Sequence, residues 1–221
     1  MSDENSGGNT NETPAVNANA GESAKAVVQK LEIVETLREG FDISIKNIGP
    51  ILVNLLLWII TIWIPYLNVG TTIGLFSGIV SKLSRGENIS YTEIFDPRYR
   101  KFMGEYFLAA GLMVVGISIG IIFFIIPGII ISLAWGFALV LVVDKGINPT
   151  EALTTSNKIT YGYKGRIFLI SIIINVIFSV ASTVLNKMDN GFAVFLIIVL
   201  VVFQLIVTVG IQASMYRQLT E

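Results

Sequence analysis

The chain has 221 residues, 53% of them hydrophobic and 14% charged, and its 15 Lys and Arg against 16 Asp and Glu leave a net charge of -1. A mean hydropathy of +0.71 lies outside the range of water-soluble domains, and the near-neutral total excludes a generally basic nucleic-acid binder. Neither Cys nor His occurs, which excludes disulfides, thiolate metal sites, the commonest zinc ligands and the commonest general base.

Residues 1–21 are rich in Gly, Asn, Ser and Glu and contain little that could be buried, so they read as a disordered tail. No basic start followed by an apolar core precedes residue 48, and the first membrane helix is therefore expected to act as the insertion signal. Residues 22–46 interleave charged and apolar side chains. Val27, Leu31 and Val34 fall on one helical stripe and Ile33, Leu37 and Phe41 on a neighbouring one. That pattern fits an amphipathic helix on the membrane surface or a solvated helical linker.

Residues 47–217 read as a polytopic membrane domain, followed by a short tail at 218–221. The first two spans are expected at 48–64 and 67–83, with a tight turn at Pro65 between them. A basic loop with interleaved aromatic residues follows, from Arg85 to Lys101. Beside a membrane this pattern points to head-group contact rather than nucleic acid. A third span runs from 102 to 126 and breaks at Pro127 and Gly128, and a short fourth covers 129–143 as a crossing or a re-entrant segment. Asn148, Pro149 and Glu151 have the spacing of a helix start, with Asn as cap, Pro in the first turn and Glu reaching back. Spans at 167–185 and 191–215, joined by a turn at 186–190, complete six.

With six crossings and both ends inside, Lys187 is the one basic residue among 15 left outside. This bias places both termini in the cytoplasm and the protein in the cell membrane.

The chain also resembles itself. Ile64-Pro65 matches Ile126-Pro127, Arg85-Gly86 matches Lys145-Gly146, and the segment at 91–95 matches 149–153. The repeating unit is a polar elbow followed by a transmembrane hairpin. The segment Ser84-Arg85-Gly86-Glu87 leading to Phe95, the run Ile126-Pro127-Gly128-Ile129-Ile130, Glu151-Ala152-Leu153 with Ser156, and Gly165-Arg166-Ile167-Phe168 resemble the YciC-like proteins. They also resemble the membrane domain that precedes glycerophosphoryl diester phosphodiesterase catalytic domains. The likeness covers about residues 35–217 and implies an all-helical prokaryotic multi-pass domain, sometimes fused to a lipid-related enzyme. No such catalytic domain is expected within these 221 residues.

Three sets of residues are candidates for a role inside the bundle. Gly70, Gly74 and Gly78 make a smooth face on the second span, and Gly116 with Gly120 makes one on the third. These faces fit internal packing, with the two spans touching, or a homo-oligomer contact. Asn54, Asn175, Gln204 and Gln212 fall within spans and need hydrogen-bond partners there, either one another or a solute path. Glu93, Asp96, Glu105, Asp144 and Glu151 lie near the inner surface, where Glu93, like Asn148 and Glu151, has the position of an elbow cap.

No Asp, Glu, Lys or Arg falls deep in a span, which argues against a proton relay. The sequence thus predicts an all-α integral membrane protein without catalytic, cofactor or metal residues. Its partners are expected to be the lipid bilayer and a membrane or cytoplasmic protein docked on the elbows, with no nucleic acid. The alternative is a conduit for a small uncharged solute or lipid.

Overall fold

The computed structural model describes residues 31–187 and 191–221. The tail at 1–21, the stretch 22–30 with Val27, and most of the turn at 186–190 lie outside the described residues. Among those described, every regular element is helical: α1 (Ile33–Lys46), α2 (Ile48–Thr61), α3 (Pro65–Ile73), a π turn (Gly74–Gly78), α4 (Ile79–Ser84), a 3-10 turn (Glu93–Phe95), α5 (Arg98–Lys101), α6 (Met103–Phe123), α7 (Ile125–Trp135), α8 (Ala138–Lys145), α9 (Pro149–Ile159), α10 (Lys164–Asn186) and α11 (Gly191–Thr220).

Among the described residues, four helices are long and apolar enough to cross a membrane: α6, α7 continued by α8, α10 and α11. The pair α1 and α2, bent by 74°, would make a fifth if taken as one span. Their outer surfaces are belts of exposed apolar side chains, such as Ile122 and Phe123 on α6, Ile177 and Val180 on α10, and Phe195 and Ile198 on α11. In water such belts would be an aggregation hazard, whereas hydrocarbon solvates them at no cost. The packed core is gathered instead at one end, where Ile79 and Val80 of α4, Leu141 and Val142 of α8, and Ile211 and Tyr216 of α11 are buried together.

The prolines begin helices rather than ending them. Pro65 is in the first turn of α3, and the turn before it runs through Ile62 to Ile64. The break expected at Pro127 and Gly128 lies earlier, at Phe124, whose backbone is extended (φ -158°, ψ 131°). Pro127 sits in the first turn of α7, where its missing N–H removes a donor that has no helical acceptor anyway. Gly128 has a packing role, because a Cβ on Gly120 would lie 2.9 Å from the Gly128 Cα.

The glycine faces also meet partners other than each other. Gly70, Gly74 and Gly78 accept Arg100, Ile94 and Tyr99 from the loop after α4, while Gly116 accepts the ring of Trp135 and Gly120 accepts Gly128. Helix spacing defines which residues share a face but not which neighbour covers it, so these contacts were open in the sequence.

The closest helix crossing joins the first and last described helices. A Cβ on Gly40 would lie 2.6 Å from Ile211 Cα, and one on Gly210 would collide with Ser44 Oγ and Gly40 O. The Ser44 hydroxyl bonds to Gly40 O at 2.7 Å and to Ile206 O at 3.2 Å. Further along, Glu39 pairs with Arg217 and accepts from Ser214 Oγ at 2.6 Å and Gln218 Nε2 at 3.2 Å. The small-residue pairs Gly40/Ser44 and Gly210/Ser214, each four apart, are the sequence signal for this contact.

Because the backbone oxygen of Gly40 cannot yield, Gly210→Leu is expected to destabilise the protein by about 3 kcal/mol, the upper part of the overpacking range. Gly165→Ala, where an added Cβ meets nothing within 4 Å, should leave thermal unfolding in detergent unchanged.

Candidate functional site: the two elbows

Two polar elbows, residues 85–102 and 146–163, lie at the packed end and are tied into the helices at points where helix backbone is open. In the first, the loop after α4 turns back through the left-handed Gly86 (φ 69°) and reaches the fully buried Asn54 of α2. Asn54 Nδ2 donates to Pro50 O at 2.8 Å and to Ser90 O at 2.7 Å, while Oδ1 accepts from the Ile94 amide at 3.0 Å. One side chain thus satisfies both ends of the segment 90–94.

Glu93, at the centre of that segment, is only 4% exposed. It receives Lys82 Nζ at 2.8 Å, Tyr99 OH at 2.7 Å and, three residues back, the Ser90 amide at 3.3 Å. Burial acts to raise its pKa, but these donors together outweigh burial and hold the carboxyl below its ordinary value. Tyr99 is shifted the other way, upward, by its burial first and by the Glu93 charge beside it. Its ring fills the hollow over Gly74 and Gly78, where the helix widens into the π turn. At the exposed rim, Glu87 and Asp96 are each held below the usual carboxylate range by a hydrogen bond, from Arg85 and Arg98 respectively.

The second elbow repairs an interruption in a membrane helix. Between α7 and α8 the ladder lapses at Gly136 and Phe137. There Ser156 of α9 accepts from the Phe137 amide at 3.2 Å and donates to Ala134 O at 2.8 Å. The Thr160 hydroxyl, fully buried, bonds to Ser156 O at 2.8 Å. Helix α9 starts at Asn148, whose Oδ1 accepts from the Glu151 amide at 2.9 Å, with Pro149 as the first helical residue. The Glu151 carboxylate meets the Asn148 side-chain amide at 3.1 Å.

Against the first elbow, between α4 and the end of α8, lies a polar cavity of about 190 Å³ lined by Ser81, Lys82, Arg85, Arg98, Tyr99 and Asp144 among others. Asp144, at the end of α8, receives Ser81 Oγ at 2.6 Å and Tyr216 OH at 2.7 Å and pairs with Arg85. Asp144, the carboxylate on this cavity, is thus met by two hydroxyls and a cation, as the neighbouring Glu93 is met by a cation, a phenol and an amide. For Glu93 a general-acid role at neutral pH needs the opposite shift, and the Tyr99 phenol, held protonated, is a poor base. The arrangement is suited to fixing the ends of α4, α8 and α11 to the first elbow. Among the described residues, no group of three carboxylates could hold a metal ion.

The remaining intramembrane amides lie elsewhere. Asn175 is exposed on α10, donates to Ser171 O at 2.8 Å and accepts from Gln204 Nε2 of α11 at 3.4 Å. Gln212 is half-buried on α11. The pattern of the sequence singled out Asn54 but not the elbow backbone it holds. It missed Lys82 and Ser81 as partners of Glu93 and Asp144, for which the conjunction of Ser and Lys at the end of an apolar helix was the available signal.

Replacing Asn54 by Leu leaves the buried Ile94 amide without its partner and removes one of two donors to Ser90 O, the other being the Glu93 amide at 3.2 Å, so it is expected to cost about 1–3 kcal/mol from one unsatisfied group. Proteolysis at the first elbow should rise with that loss, while Asn175→Leu, on an exposed face, should cost less than about 1 kcal/mol. No family model, curated protein or solved structure matches the chain.

Proposed function

We propose that the protein is a non-catalytic membrane scaffold or accessory subunit that docks a protein partner on its two elbows. The observation that carries this reading is the latching of each elbow to a membrane helix by buried side-chain hydrogen bonds, from Asn54 in one case and Ser156 in the other. A loop held in this way presents its outer side chains at low entropic cost to a partner. Those side chains include Tyr91, 57% exposed, and Tyr161, 77% exposed, aromatic residues of the kind that anchor interfaces. The alternative of a solute or lipid conduit has less support, since Asn175 is exposed on α10 and engages Gln204 there at 3.4 Å.

In this reading α2 and the α3 to α4 helix form a first hairpin, completing six crossings in the cell membrane with both termini cytoplasmic. Helix α2 has 14 residues, about 21 Å of rise against a hydrocarbon core of ~30 Å. Whether that hairpin spans fully or enters and returns, it restores the chain to the same side. The bias of basic residues then favours elbows that face inward.

Cysteine is a clean probe in a chain that has none. An impermeant maleimide applied to intact cells should label Lys187→Cys and spare Ser90→Cys, and labelling of Ser90→Cys would refute the orientation. For docking, recovery in mild detergent should yield a stoichiometric protein that the double variant Tyr91→Ala, Tyr161→Ala loses by about tenfold or more, as removal of two anchors implies. Membrane insertion should be unchanged. Unaltered recovery would rule out the elbows as the docking surface.

A further inference from the structure

A lateral groove is lined by residues of α1, α10 and α11 and by none of either elbow. It has a volume of about 540 Å³, and its lining is apolar apart from Arg38 at the α1 end, a size typical of small-ligand sites. Val207 and Ile211 form its buried floor. Phe203 stands between Phe41 at 6.4 Å and Phe178 at 6.0 Å, ring centroid to ring centroid. From Leu200 to Ile211 the groove follows about 16 Å of helix, close to half of a ~30 Å hydrocarbon core. It therefore has the length of one leaflet.

Arg38 also lines a second, polar cavity of about 530 Å³ on the other side of α1, together with Glu35, Glu39, Asp42, Lys46 and Arg217. Glu39 is occupied by Arg217. Arg38, Glu35 and Asp42 have no hydrogen bond or ion pair among the described residues. Three and four residues from Arg38, the two carboxylates flank the guanidinium on the helix surface at neighbour spacing. The apolar groove thus opens onto Arg38 bordered by two unpaired carboxylates, with Lys46 one turn beyond Asp42 on the same cavity.

We propose that this groove holds one phospholipid with an amine-bearing zwitterionic head group, the phosphatidylethanolamine class, from the leaflet that α1 faces. An acyl chain lies along Phe41, Phe178 and Phe203. The phosphate is held by Arg38, whose planar donors suit phosphate oxygens. The ammonium, two carbons further on, donates to Glu35 and Asp42. A purely anionic head group would bring its charge against those two carboxylates, and a choline head group has no N–H to donate to them. The site is independent of partner docking on the elbows.

The test is native mass spectrometry of the full chain, equilibrated in detergent with equal amounts of phosphatidylethanolamine, phosphatidylcholine and phosphatidylglycerol. The wild type should retain one phosphatidylethanolamine, favoured about tenfold over the other two, the size expected of one or two charge-assisted hydrogen bonds. Glu35→Gln with Asp42→Asn should bring phosphatidylethanolamine and phosphatidylcholine to parity, and Arg38→Gln should weaken both. Ala181→Phe, which fills the groove from α10, should reduce every lipid. All three substituted head-group positions are on an exposed helix face, so an unchanged melting profile is expected for those variants and is measured alongside. Equal retention of the three lipids by the wild type, a preference for phosphatidylglycerol, or a phosphatidylethanolamine preference untouched by the head-group variants would overturn the assignment.

Discussion

Backbone amides and carbonyls that lack a helical partner must find another when water is scarce, and that requirement shapes this protein at two places. The segment from Ser90 to Ile94, which leads into the short 3-10 turn, lies against α2, and Asn54 supplies both a donor and an acceptor to it. The lapse at Gly136 and Phe137 in the long α7 to α8 helix is bridged by the Ser156 hydroxyl. In each case a polar group on one element completes the backbone of another. The elbows are consequently part of the folded body rather than connections laid over it. Tyr99 extends the same logic to shape, since its ring occupies the hollow that Gly74 and Gly78 leave along the π turn.

The charges at the packed end follow from that arrangement. Once the elbow is drawn against α4, Glu93 is almost without solvent, and an ionised carboxylate there is tolerable only with several donors. Lys82, Tyr99 and the Ser90 amide provide them. Asp144 is treated alike by Ser81, Arg85 and Tyr216. Lys82 and Ser81 are adjacent on one helix, so α4 delivers a partner to each of the two carboxylates, and the short polar end of an apolar helix fixes two otherwise separate parts of the chain.

Much of the helical layout was legible in the sequence, because long apolar runs and a cap such as Asn148 with Pro149 are local signals. Contacts between distant segments were not. The spacing of Gly70, Gly74 and Gly78 announced a smooth face, yet its partner is a loop 20 or so residues later rather than the next span, and spacing alone does not discriminate between them. Pro127 on its own suggests a break, but a proline is as much at home in the first turn of a helix as beyond its end, and the turn lies at Phe124. Asn54 announced a need for partners without naming them. The Ser156 bridge answers an interruption at Gly136 that has no proline to mark it.

The crossing of Gly40 with Gly210 sets the order in which the protein can be built. Helix α1 is made early, but the surface it fits, including Ile211, Ser214 and Gln218, is made last. Thr36 and Gln218, joined at 3.0 Å, stand 182 residues apart. During synthesis the small-residue face of α1 therefore lacks its α11 partner until the intervening helices have been made. Closure of that long loop is a late event in maturation, and a chain stalled before α11 would expose the Gly40 and Ser44 face as a recognisable mark of incompleteness.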